Sequence, residues 1–157
     1  MARLGGKYWD EMPWGGALGR DDSFRLLEAT QVEERARQVL DDLEDLCVLL
    51  LFSVFEATVR ERALTDVSDE LPTLRHPALV QAMETLNDTI SHGSFYRVLE
   101  AYKGLDADLV EEVNQVRRYR NWVAHGRRGA QPDNVGPDVA YDRLRRFLER
   151  LALPKPR

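Results

Sequence analysis

The sequence predicts an all-α protein: a bundle of four to five up-and-down helices behind an irregular N-terminal arm. Three observations carry this. Apolar residues recur at steps of three and four, the spacing that lines them along one helix face. Nothing alternates with the period of two that a half-buried strand requires. Glycine and proline cluster at intervals that cut the chain into helix-length segments. Residues 1–20 form the arm, 21–153 the bundle and 154–157 a tail.

Taken in order, Met1–Arg20 is rich in glycine and carries Tyr8, Trp9 and Trp14. It either packs its aromatics on the domain or docks on a partner. From Asp21 to Glu70 there is neither glycine nor proline, and Val39, Leu43, Leu46, Leu50, Val54 and Ala57 follow a helical rhythm. That stretch is one long helix or two broken near Asp41–Asp45; a short lead-in helix and a longer one ending near Thr65 is the preferred reading. Leu46–Phe55 is apolar nearly all round and is expected to be the buried centre, with Cys47 as a small hydrophobe inside it. Leu71–Pro72 stops the helix, and Pro77 opens the next, where a residue without an N–H leaves no donor unpaired. Leu79, Met83, Leu86 and Ile90 form its buried stripe and Gly93 ends it. Ser94 is placed to cap a short helix that Gly104 closes. A helix then runs from Asp106–Asp108 to about Ala124, with Gly126 as its stop. Gly126–Pro137 is a loop, and Pro137 starts the last helix, ending near Leu151.

A chain of 157 residues with net charge −5 is the size of one globular domain and is not built to coat DNA, which calls for overall basicity. A single cysteine excludes an internal disulfide and the usual cysteine zinc sites, and the compartment is read as cytoplasmic. The N-terminus lacks the apolar core of a signal peptide, and the longest unbroken apolar run, Leu46–Phe52, is far short of a bilayer span, so no membrane is expected.

No phosphate-binding glycine loop, dinucleotide fingerprint, nucleophile elbow or Glu-x-x-His pair is present; no cofactor and no metal are expected. His76 and His92 read as surface turn residues. His125 keeps different company. Val116–Arg128 holds five arginines and no acid, a basic island in an acidic chain that would favour a phosphodiester backbone. Cations near a helix C-terminus are also expected on simple electrostatic grounds. Arg120 does not fit that simple account. At 100° per residue, Leu109, Val113, Val116, Val123 and Ala124 fall within about 60° of it, so it sits amid the apolar stripe. A buried guanidinium needs an anion. Either Glu56 supplies it as a structural salt bridge, or Arg120 faces a functional interface.

The run Arg120-Asn121-Trp122-Val123-Ala124-His125 resembles the signature of HEPN domains, an Arg separated from a His by four to six residues at the end of a late helix. The resemblance extends over the bundle, and Ser53-Val54-Phe55-Glu56-Ala57 is similar to the polar patch that members carry on a long helix. It implies an endoribonuclease acting without metal, of toxin or anti-phage type, leaving 2′,3′-cyclic phosphate and 5′-OH ends. It further implies His125 as acid or base, Arg120 stabilising the phosphorane, Asn121 orienting the imidazole, and Glu56 and Ser53 in support. Arg117, Arg127 and Arg128 would hold flanking phosphates, while Trp122 either stacks a base or packs in the core or a dimer. The expected partners are RNA, a second copy, and an antitoxin or regulatory protein. A non-catalytic helical module binding RNA, nucleotide or protein is the alternative. In members paired with an adenylylating antitoxin a tyrosine follows the His by two places; Arg127 stands there instead, which puts that form of inactivation in doubt. Regular helical geometry sets Arg120 and His125 about 140° apart, which points to a two-fold dimer that completes the site.

Overall fold

A computed structural model describes residues 29–70 and 75–152, five helices with no strand among them. They are α1 (Ala29–Glu70), α2 (Pro77–His92), α3 (Phe95–Glu100), α4 (Ala107–Ala124) and α5 (Pro137–Ala152). The expectations for the N-terminal arm and the C-terminal tail lie outside the described residues. The chain divides into two compact units, Met1–Leu43 and Glu44–Arg157. In the first, the described residues are the start of α1, exposed but for half-buried Val32.

The second unit holds the core. Along α1, Val48, Phe52, Phe55, Val59 and Ala63 repeat at steps of four, three, four and four, and all are buried. Phe52, Phe55, Phe95 and Phe147 form a chain of contacts across α1, α3 and α5, with centroids 5.5 to 5.9 Å apart. Three of the four contacts are edge-to-face, the arrangement ring quadrupoles favour. Val113 and Val116 of α4 and Ala140 of α5 are wholly buried. Each of the two valines stabilises the fold by about 1.5–3 kcal/mol through burial.

The helix ends obey local chemistry. Pro77 opens α2, where His76 Nδ1 accepts from the Ala78 N–H at 3.2 Å. Gly93 closes it because a Cβ there would stand 2.4 Å from Thr89 O. Asp106 caps α4 by accepting the Leu109 N–H at 3.0 Å. Ser94 occupies the cap position of α3 without making a capping bond.

Four expectations are corrected. The break near Asp41–Asp45 is absent: α1 is a single element of 42 residues that runs to Glu70, past Thr65. Helix formers fill that region, and the paired acids do not break it. Leu46–Phe55 is not buried all round, since Leu46, Leu50 and Val54 are 58%, 67% and 60% exposed. Cys47, on the same outer face, is exposed too. A helix at the edge of a core has only one side to bury. On α2, Ile90 is buried, but Leu79 and Leu86 face outward, so the stripe seals only at its C-terminal end.

Candidate functional site

The site forms where α4 crosses α1. Arg117, Asn121 and His125 stand at i, i+4 and i+8 on α4, one row along the helix surface, with Arg120 beside them. Arg120 lies over the ring of fully buried Phe52, its Cζ 5.5 Å from the centroid, where the π face attracts a cation. Its Nη1 donates to Asn121 Oδ1 at 2.9 Å. Its Nη2 is 3.8 Å from Glu56 Oε2, an ion pair beyond hydrogen-bond distance. Its Nε is buried with no partner among the described residues. Arg120 is therefore half in the core face of α4, as its phase requires, with donors to spare.

Glu56 directs its charge elsewhere. Its Oε1 accepts from Arg60 Nε at 3.1 Å and Nη2 at 2.8 Å. The same guanidinium donates to the Ile90 and Gly93 carbonyls, so Arg60 is nearly saturated. Arg117 sits across the row: Nε donates to Asn114 Oδ1 at 3.0 Å, and Cζ lies 5.3 Å from the Tyr96 centroid. Burial, reinforced by the Arg118 charge, holds the Arg117 guanidinium below its usual pKa. Its terminal nitrogens have no hydrogen-bond partner among the described residues. Arg60 and Arg120 thus share the Glu56 carboxylate, Arg117 feels its charge without touching it, and the two arginines on α4 keep unused donors.

The C-terminus of α4 is a Schellman turn. The His125 N–H still bonds Asn121 O at 3.0 Å, the Gly126 N–H bonds Val123 O at 2.9 Å, and the Arg127 N–H bonds Trp122 O at 2.8 Å. Gly126 takes φ +73°, the left-handed region that a residue without Cβ enters freely. His125 is the C-cap, exposed, and no described residue bonds its imidazole. Because α4 stays helical through Ala124, Arg120 and His125 point about 140° apart, and no bond joins them.

Arg127 is placed otherwise than a phosphate contact would require. It sits at φ 58°, and its Nη2 and Nε reach Asp45 Oδ2 at 2.5 and 3.1 Å. Asp45 Oδ1 accepts from the Tyr119 hydroxyl at 2.6 Å. Burial and the Asp45 carboxylate push the Tyr119 pKa up to about 12, so it remains a donor. Trp122 packs against the core with its ring 5.9 Å from that of Tyr119, as a packing residue rather than a free stacking platform. Ser53 is exposed, its hydroxyl donating back to Leu49 O at 2.7 Å. Arg128 is exposed in the loop.

The structure thus gathers Arg117, Arg120, Asn121 and Glu56, with His125 at the end of the same row, and leaves Ser53, Trp122 and Arg127 in other roles. Sequence reading missed Phe52 as a platform, Asn114 and Tyr96 as the seat of Arg117, and Asp45 altogether. Arg60 was visible as a neighbour of Glu56 one turn on; its reach to α2 was not. Among the described residues no three His, Cys, Asp or Glu side chains gather as a metal site, and no helix is long and apolar enough to cross a membrane. No known protein family, curated protein or solved structure matches the chain.

Proposed function

We propose that the protein is a metal-independent endoribonuclease of HEPN type that cleaves RNA to 2′,3′-cyclic phosphate and 5′-OH ends. One observation carries the reading: Arg117 and Arg120 are partly desolvated cations with unused donors, while Arg60 takes the Glu56 charge. Partly desolvated cations with unsatisfied donors are costly unless an anion completes them. A phosphodiester fits, since a guanidinium offers two parallel N–H groups to two phosphoryl oxygens. The resemblance of Arg120–His125 to the HEPN signature adds the chemistry. The His125 imidazole takes the 2′-OH proton, the 2′-oxygen attacks phosphorus, and the bond to the 5′-oxygen breaks as that oxygen gains a proton. Arg120 binds the charge that builds on the phosphorane.

The 140° between Arg120 and His125 calls for a second copy, which would supply the other histidine as proton donor. The exposed Leu46, Leu50 and Val54 offer apolar surface of the kind such a contact uses. The same angle favours a second reading, a non-catalytic module in which Arg117 and Arg120 bind RNA and His125 takes no part. Toxin or anti-phage action belongs to the first reading and follows from the resemblance alone.

The test is incubation of the full chain with total RNA in excess chelator beside His125→Ala, with end chemistry determined. Cleavage by the wild type only, with cyclic phosphate ends, is the expected result. Binding without cleavage would establish the module reading. When Arg120→Ala is mixed with His125→Ala, the heterodimer should recover about one site of its two if each site draws its Arg and His from opposite chains.

A further inference from the structure

We propose that Asp45 is a positioning residue for His125, acting through Arg127 across the end of α4. The proposal rests on His125 being the reacting base. The geometry is that of a clamp. Phe52 and Glu56 of α1 hold Arg120, and Asp45, seven residues before Phe52, holds Arg127, which lies in the turn beyond the end of α4. Side chains of α1 therefore hold the chain on both sides of His125 in sequence, at Arg120 before it and at Arg127 after it.

The grip is specific. The Asp45 side chain is 8% exposed and both its oxygens are engaged, Oδ1 by Tyr119 and Oδ2 by Arg127. A carboxylate so buried requires those donors. Arg127 pays no attention to local preference: at φ 58° it occupies the left-handed region that disfavours a side chain. Its N–H nevertheless closes the turn on Trp122 O at 2.8 Å. The Asp45 pair therefore opposes the backbone's tendency to leave that conformation, and His125 is the residue the turn carries. Asp45 touches neither substrate nor the reacting atoms.

Two variants separate positioning from folding. Asp45→Asn keeps an oxygen for Tyr119 and removes the charge that holds Arg127. Arg127→Gly removes the guanidinium but adopts the positive φ freely, so the fold is retained. Two readouts are taken on each: steady-state RNA cleavage with its kcat and KM, and amide hydrogen exchange at positions 126 and 127 by NMR. The expected result in Asp45→Asn is at least tenfold faster exchange at position 126, with kcat lowered about ten- to a hundredfold and KM nearly unchanged, as a displacement of order an ångström would give, while Arg127→Gly, which needs no clamp to keep its positive φ, stays near the wild type in exchange. Unchanged exchange in Asp45→Asn overturns the clamp whatever the protein does to RNA. Faster exchange with wild-type kcat, or a rise in KM alone, overturns the positioning role. An inactive wild type brings down the ribonuclease reading and this role with it, and the exchange data then still decide whether Asp45 holds the turn.

Discussion

Removing one oxygen from Tyr119 tests the buried network directly. Tyr119→Phe deletes the hydroxyl that donates to Asp45 Oδ1 at 2.6 Å and leaves the ring in place, so no cavity opens. A hydrogen bond to a charged acceptor is worth about 1.5–3 kcal/mol, and the site is 7% exposed, so little water can replace the donor. The expected cost is about 2 kcal/mol at pH 8, a fall in Tm of roughly 4–8 °C for a chain of this size. A second signature lies in alkali. The Tyr119 pKa is raised from 10.0 to about 12, first by burial and then by Asp45. A raised pKa on an acid means the folded state favours the protonated form. That stabilisation is complete below pH 10 and is lost as pH climbs through 12, at most about 3 kcal/mol over the interval. The wild type should therefore lose more stability than Tyr119→Phe between pH 10 and 12, and the two unfolding curves should converge. Denaturant titrations of both proteins at pH 8 and at steps up to 12 measure this. A cost below about 0.5 kcal/mol at pH 8, or parallel losses in alkali, would refute the network as described.

Three further outcomes are expected. Gly126→Ala should cost about 1–2 kcal/mol in urea unfolding, all of it backbone strain at φ +73°, because nothing lies within 4 Å of the added Cβ. Arg117→Ala should weaken RNA binding at low salt and reduce the slope of log K against log salt by about 0.7, one phosphate contact on a single strand; an unchanged slope would remove Arg117 from the interface. Cys47 should react with a thiol reagent in the native protein at nearly the rate seen after unfolding, since it is exposed on α1; slow labelling in dilute solution would show that the outer face of α1 is covered.

Much of the fold was readable from the chain because its breakers are local. Pro77, Gly93, Asp106, Gly126 and Pro137 act on the residues beside them, and helices α2, α4 and α5 begin and end where they predict. The depth of α1 was not readable. Leu46, Leu50 and Val54 follow the same rhythm as Val48, Phe52 and Phe55, and periodicity alone does not say which face meets a core. The same division runs through the site. The placement of Arg120 followed from helical phase, a property of one helix, whereas phase left its partner open between Glu56 and a functional interface. Asp45 was read only as the edge of a possible helix break, and its bonds to Tyr119 and Arg127 span 74 and 82 residues, beyond the reach of any local pattern.

Arg60 couples two places that share no backbone. The last carbonyls of a helix lack partners within it, and at the end of α2 the Ile90 and Gly93 carbonyls receive theirs from this guanidinium, thirty or more residues earlier in the chain. The same group holds Glu56, whose other oxygen faces Arg120. Displacing Arg60 from α2 would alter how Glu56 divides its charge, and with it the affinity of Arg120 for an anion. Linkage is reciprocal, so an anion seated on Arg120 must change the free energy of freeing the α2 terminus by the same amount. The end of α2 is thereby tied to Arg120 through one shared guanidinium and one carboxylate.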